Sequence, residues 1–208
     1  MRIAILTFDG FNEIDSLASL HILNRMRPHG WGAEIIGPTH TVTSMNGVVL
    51  HTQNPLESAQ DADVVLFGSG IGGREASKDP ELCARIVLDP DVQLVGAQCS
   101  GTLLMSRLGL LKGLPACTDL VTKPWVIEAG VEVLDQPFVA YGSRATAGGC
   151  MSSTYLSGWV IASLAGRDQA AEVLRTVAPV GEPTFVDHAL SIIAPFLSPA
   201  GVSLRDSR

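Results

Sequence analysis

Cys99 stands in the most telling context of any side chain here that can bond covalently to a substrate. Val92-Gln93-Leu94-Val95-Gly96-Ala97-Gln98 reads as a buried strand, Cys99 follows directly, and Ser100-Gly101-Thr102-Leu103-Leu104 opens a helix. Ala97 and Gly101 are small, as a tight strand-to-helix turn requires where the backbone crowds itself. Such a nucleophile elbow throws its central side chain up at the sheet edge, and the start of the next helix favours a thiolate there. The Ser100 N–H then points to where an oxyanion would form. The other reading of Cys99 is a small buried hydrophobe at a strand end, and spacing alone leaves both open.

Three further features can join that chemistry. Gly68-Ser69-Gly70-Ile71-Gly72-Gly73 follows a second apolar strand, Asp63 to Phe67, and lacks the Gly-Lys-Ser/Thr of a phosphate loop. Its use would be close backbone approach, with Gly70 or Ile71 supplying a second oxyanion N–H; its plainer reading is a glycine turn. Asp15, beside Ile14 and Leu17, is either a helix-start acid favoured by the dipole or a carboxyl placed against Cys99 to pass protons. Cys150 follows Gly148-Gly149 at another strand-to-helix junction, a position open to the same cleft or to plain packing.

The remaining candidates read as structural. Cys83 and Cys117 are expected to pack, and with no C-x-x-C pair or histidine at ligand spacing, neither a metal site nor a disulfide framework is expected. His21, His29, His40, His51 and His188 are scattered, and each reads as a surface or satisfied histidine. Phe11, Trp125, Phe138 and Tyr141 can line a cleft, but core is the simpler place for each.

The elements that must position these residues alternate along the chain. Strands are expected at Arg2 to Phe8, Ala33 to Ile36, Asp63 to Phe67 and Val92 to Ala97, as apolar runs suited to a sheet buried on both faces. Helices are expected from Ile14 to Met26, Pro80 to Leu88, Ser100 to Leu111, Met151 to Leu164, Asp168 to Val177 and Phe185 to Leu197, with a polar end beyond. Ala116 to Val133 reads as a short strand, a loop and a helix. Hairpins are expected around Asn46-Gly47 and Gly142-Ser143. Short connections without a linker or repeat predict one α/β domain over 1–208, a three-layer sandwich around a mostly parallel sheet. Ligands of such sheets bind outside the carboxyl ends of the strands, where Asp15, Gly68 to Gly73 and Cys99 all fall.

Composition limits the partners. The 208 residues carry 14 Lys+Arg against 21 Asp+Glu, a formal net charge of −7, without a basic cluster, so nucleic acid is not expected. No apolar run approaches a membrane span and no secretory leader is visible, which predicts a cytoplasmic protein with no membrane partner. Hydrophobic residues at 46% and charged residues at 17% suit a folded globule and exclude disorder.

The Cys99 elbow, the first-helix Asp15, Asp63-Val64-Val65-Leu66-Phe67-Gly68-Ser69-Gly70 and Ala145-Thr146-Ala147-Gly148-Gly149 together resemble the ThiJ/PfpI superfamily, related to class I glutamine amidotransferases, over roughly residues 2–165. Within it, Phe11-Asn12-Glu13-Ile14-Asp15, Cys99-Ser100-Gly101, Leu110-Leu111-Lys112-Gly113 and Pro179 with Pro183-Thr184-Phe185 look most like the isocyanide hydratase branch. The resemblance implies a flavodoxin-like sandwich that dimerises, Cys99 as nucleophile, Asp15 as its acid partner, and backbone oxyanion positions at Gly70 and Ser100. It implies a cofactor-free hydratase that turns a small-molecule isocyanide into an N-substituted formamide through a Cys99 thioimidate. Alternatives within it are a glyoxalase or deglycase acting on 2-oxoaldehydes, and a non-catalytic redox or ligand sensor. Two departures stand out. Gly68-Ser69-Gly70 replaces the usual Pro-Gly-Gly, which predicts a looser loop, and Asp119 replaces a histidine found in many relatives beside the nucleophile. Losing that imidazole argues against peptidase or amidase chemistry, which needs a base for the thiol and an acid for the leaving amine. Asp119, Gly149 and Cys150 are the remaining expected pocket residues.

Overall fold

The computed structural model describes residues 1–198; the polar end, 199–208, lies outside the described residues. Its nine strands are β1 (Arg2–Leu6), β2 (Gly32–Gly37), β3 (Thr41–Thr43), β4 (Val49–His51), β5 (Asn54–Pro55), β6 (Val64–Phe67), β7 (Leu94–Gln98), β8 (Phe138–Tyr141) and β9 (Arg144–Ala147). Seven form one sheet in the order β5-β2-β1-β6-β7-β9-β8, and β3 and β4 pair separately as a hairpin. Every neighbour in the large sheet is parallel except β8 against β9. Among the described residues the eight α-helices are α1 (Glu13–Leu23), α2 (Gly73–Ala76), α3 (Pro80–Ala84), α4 (Gly101–Arg107), α5 (Lys123–Glu128), α6 (Ser153–Ala165), α7 (Arg167–Arg175) and α8 (Thr184–Ile193). This is the mostly parallel, flavodoxin-like α/β sandwich that the sequence predicts.

The central strands are apolar throughout because each feeds two cores. Ile3, Ile5, Val64 and Leu66 point into a layer closed by α1, α6, α7 and α8. Their neighbours Ala4, Leu6, Val65 and Phe67 point the other way, towards α4, α5 and the 3-10 turn Leu56–Asp61. A period of two that is hydrophobic on both faces is what burial between two helical layers demands.

Several elements are shorter than their apolar patterns suggest. The first helix passes into a 3-10 turn at Asn24–His29, where Pro28 cannot donate to a helical ladder. The third helix stops at Ala84, and α4 stops at Arg107 before Gly109 takes a left-handed φ of 76°. Ala116 forms only an isolated bridge with Val133. The four-residue α2 lies inside what reads as a glycine loop, too short to show any periodicity.

Strand order reverses direction between β1 and β6: from β1 the chain builds outward to β2, then returns to add β6 and β7 on the other side. The loops leaving β1, β6, β7 and β9 therefore meet along one edge, carrying Asp15, Ser69, Cys99 and Cys150 respectively.

Candidate active site

Cys99 occupies the elbow as its sequence suggests. It is the only non-glycine residue with positive φ among the described residues, at 47°. A left-handed non-glycine residue costs about 1–3 kcal/mol and persists only where its surroundings hold it. Here the Cys99 N–H donates to Ala147 O at 2.8 Å, and the Thr118 hydroxyl donates to Cys99 O at 2.8 Å. Gly101 is required by close approach: a Cβ there would lie 2.6 Å from the carbonyl oxygens of both Phe67 and Gly68.

Asp15 arrives from α1, whose start is fixed by Asn12. The Asn12 Oδ1 accepts from Ile14 N–H at 3.0 Å, a conventional N-cap, while its Nδ2 donates to Cys150 Sγ at 3.2 Å. Asp15 is 1% exposed. One of its oxygens, Oδ2, accepts a short hydrogen bond from the Ser69 hydroxyl; the other, Oδ1, is buried without a hydrogen-bond partner. An acid Oδ, Cys99 Sγ and Cys150 Sγ all lie within 4.8 Å of one another. That brings three expected site residues together. It is also a donor set able to hold a soft metal ion once both thiols lose their protons. Linear spacing gives no sign of it, since the donors come from three segments distant in sequence: α1, the elbow and the turn after Gly149.

The electrostatics oppose one expectation. Burial first, and then the facing Asp15 carboxylate, push the Cys99 thiol far above its ordinary range, with Cys150 and Asp119 adding to the shift. Desolvation beside a carboxylate thus works against the thiolate that the start of the seven-residue α4 favours. Cys150 is also raised, by burial and by Asp15, but the Asn12 and Cys99 hydrogen bonds pull it back. Cys117, behind the elbow, is pushed up by burial to about 12.

The glycine loop is tied to its surroundings through its serine. Ser69 holds Asp15, Asn12 N–H donates to Ser69 O at 2.8 Å, and Gly70 forms an isolated bridge with Phe11. The Gly70 N–H donates to Ser100 Oγ at 2.9 Å, and the Ile71 N–H to Gly10 O at 2.9 Å. Both of these loop N–H groups are thus engaged within the chain, that of Gly70 by Ser100, the residue after the elbow cysteine.

Asp119 lines the cleft but serves its own loop: its Oδ1 accepts from the N–H groups of Val121 and Thr122, each at 2.9 Å, ahead of α5. Gly149 O accepts from the Gln98 amide at 2.7 Å, which ties β7 to the turn before Cys150. Trp125 reaches the cleft, with the Arg74 guanidinium 4.1 Å above its ring, whereas Phe138 is buried against Trp159. The cleft measures about 380 Å³, and Met45, Ile71, Val121 and Trp125 make its outer wall apolar. His21, His29, His40, His51 and His188 are all exposed and none lines it. Ser69, Asn12 and Gln98 are the functional residues that residue type alone did not reveal. The only hint at Ser69 is a hydroxyl standing where the family usually has glycine.

A cysteine on a strained elbow, opposed by an acid from the first helix at the carboxyl edge of a parallel sheet, defines a class of α/β cysteine site. The chain belongs to the DJ-1/PfpI family, whose model matches residues 1–162. Among solved structures it is similar to Schizosaccharomyces pombe DJ-1, with 18% identity, TM-score 0.73, and 86% of this chain and 100% of that one covered. A THiJ/PfpI family protein from Pseudomonas syringae matches at 20% identity and TM-score 0.74, covering 94% and 86%. Drosophila melanogaster DJ-1beta matches at 19% and 0.73, covering 85% and 96%. At these identities the likeness is one of fold. No curated protein sequence matches this chain. Among the described residues no helix is long and apolar enough to cross a membrane.

Proposed function

We propose that this protein is a cofactor-free, cysteine-dependent hydratase of the isocyanide hydratase type. The observation that carries the reading is the juxtaposition of Cys99 with the buried Asp15 carboxyl, whose Oδ1 has no hydrogen-bond partner.

The terminal carbon of an isocyanide accepts both a nucleophile and a proton, so the first step adds S–H across one atom. Cys99 Sγ bonds to that carbon while Asp15 takes the thiol proton and returns it to the same carbon, giving a thioimidate. A thiol that keeps its proton at rest suits this step, because the proton is consumed in it. Water, activated by Asp15, then adds to the thioimidate carbon. The C–S bond breaks, the thiol regains a proton, and an N-substituted formamide leaves. The balance is one isocyanide and one water to one formamide.

The apolar wall of Ile71, Val121 and Trp125 suits an alkyl or aryl substituent on the isocyanide nitrogen. Asp119 is occupied in capping its loop, which favours this histidine-free route over 2-oxoaldehyde or amidase chemistry. A cytoplasmic homodimer is the expected setting. Exposed Ile14 on α1 and Met45 and Val49 on the hairpin offer apolar surface, and Glu13 joins the two elements through Ser44 and Asn46.

The test is formamide production from an aryl isocyanide, followed by its formyl proton resonance. Turnover that disappears in Cys99→Ala supports the reading; undiminished turnover in that variant removes it.

A further inference from the structure

We propose that Cys99 and Cys150 form a reversible disulfide in response to hydroperoxides, with Cys150 as the sulfur oxidised first, so that the site carries its own redox shut-off. The two sulfurs lie within 4.8 Å, whereas a disulfide bond is about 2 Å long, so closure asks one of them to move by less than about 3 Å.

Cys99 cannot be the one that moves, because backbone hydrogen bonds to Ala147 and from Thr118 clamp its elbow. Cys150 can. It opens the 3-10 turn Cys150–Ser152 directly after Gly149; Gln98 and Ser153 hold the carbonyls of that turn, so the movement is a rotation of the Cys150 side chain within the cleft. The two thiols also differ in access. Cys99 is 4% exposed, while Cys150 is half-buried at the cleft and receives the Asn12 amide hydrogen on its sulfur. A hydrogen bond donated to sulfur stabilises the thiolate, and among the described residues Asn12 supplies one to Cys150.

The steps balance. The Cys150 thiolate attacks one peroxide oxygen, the O–O bond breaks, and hydroxide or alkoxide leaves and is protonated; sulfur is oxidised to sulfenic acid and peroxide is reduced. Cys99 Sγ then attacks the Cys150 sulfur, the S–O bond breaks, and the hydroxyl departs as water with the Cys99 proton, for which Asp15 is the adjacent acceptor. Two thiols and one hydrogen peroxide give one disulfide and two waters. The nucleophile is masked, yet recoverable by thiol reductants.

The experiment treats the intact protein with hydrogen peroxide, blocks free thiols with iodoacetamide, and maps peptides by mass spectrometry without reduction. The expected result is a Cys99–Cys150 cross-linked peptide, a loss of about 2 Da that dithiothreitol reverses, and Cys117 still a thiol. In a Cys99→Ser variant shown to be folded by circular dichroism, dimedone should trap a sulfenic acid on Cys150. The proposal is overturned if no cross-linked peptide forms, if Cys99 instead gains about 32 Da as sulfinate beside a free Cys150, or if the variant shows no Cys150 adduct. None of these readouts depends on isocyanide turnover, so this proposal and the hydratase reading fail separately.

Discussion

The Ser69 hydroxyl donates to Asp15 Oδ2 and leaves Oδ1 as the buried carboxyl oxygen without a hydrogen-bond partner. A carboxyl with one oxygen held and the other unpartnered is oriented as well as buried.

Removing the tether should therefore act on rate rather than binding. Ser69→Ala is expected to lower kcat about tenfold with little change in KM, since a lost hydrogen bond to a charged group is worth about 1.5–3 kcal/mol and the apolar wall is untouched. Ser69→Thr, which keeps the hydroxyl, should restore most of the rate. Steady-state kinetics on the three proteins checks this. Equal losses in the Ala and Thr variants would point to simple packing damage instead.

Asp15→Asn keeps the shape of the group but cannot take or return a proton. General acid–base catalysis contributes about 10²–10⁴-fold, so kcat should fall within that range. Rapid-quench mass spectrometry of the variant should show slower formation of the Cys99 adduct, which locates the loss in the first step.

The raised thiols make stability depend on pH in a stated direction. An unfolded thiol ionises near its ordinary 9.0, whereas Cys117 in the fold holds its proton to about 12. Between those values the folded state binds more protons than the unfolded state, so stability falls as pH rises. The fall is about 1.4 kcal/mol per pH unit for each such thiol. Cys99 adds its own contribution from the same lower limit. Urea midpoints from neutral pH upward should decline above about 9, and Cys117→Ala should make the decline shallower.

Asp119 offers a separate check on capping against charge. Asp119→Ala is expected to cost about 1 kcal/mol by releasing the Val121 and Thr122 N–H groups, whereas Asp119→Asn keeps an accepting oxygen and much of that stability. Both remove a negative charge that helps to raise Cys99. The pH profile of Cys99 alkylation should accordingly move to lower pH in both, even where thermal stability differs.

Much of the fold was legible because it rests on regular signals. The all-apolar strands β1, β6 and β7 and the Gly142-Ser143 hairpin produce strong patterns, and the elbow announces itself through Ala97, Cys99 and Gly101. The site was legible only in part. Cys99, Asp15 and Cys150 could be chosen because their types carry chemistry and their places fall at strand ends. The Ser69 tether, the double role of Asn12 and the amide of Gln98 are contacts between distant loops, which no local spacing encodes. The opposing pressure on the Cys99 thiol was hidden for a related reason. A helix start is visible in sequence, whereas burial against a carboxylate from a distant helix is not.

The contact of Gly101 with the carbonyls of Phe67 and Gly68 reaches beyond side-chain chemistry. It interlocks the two loops backbone to backbone, so neither can change length alone. One residue inserted at 68–70 or 99–101 would unseat both at once, whereas the turn around Asn46 and Gly47, out on the hairpin, has room to grow. Natural variation in chain length should therefore collect on the rim of this cleft and spare its floor.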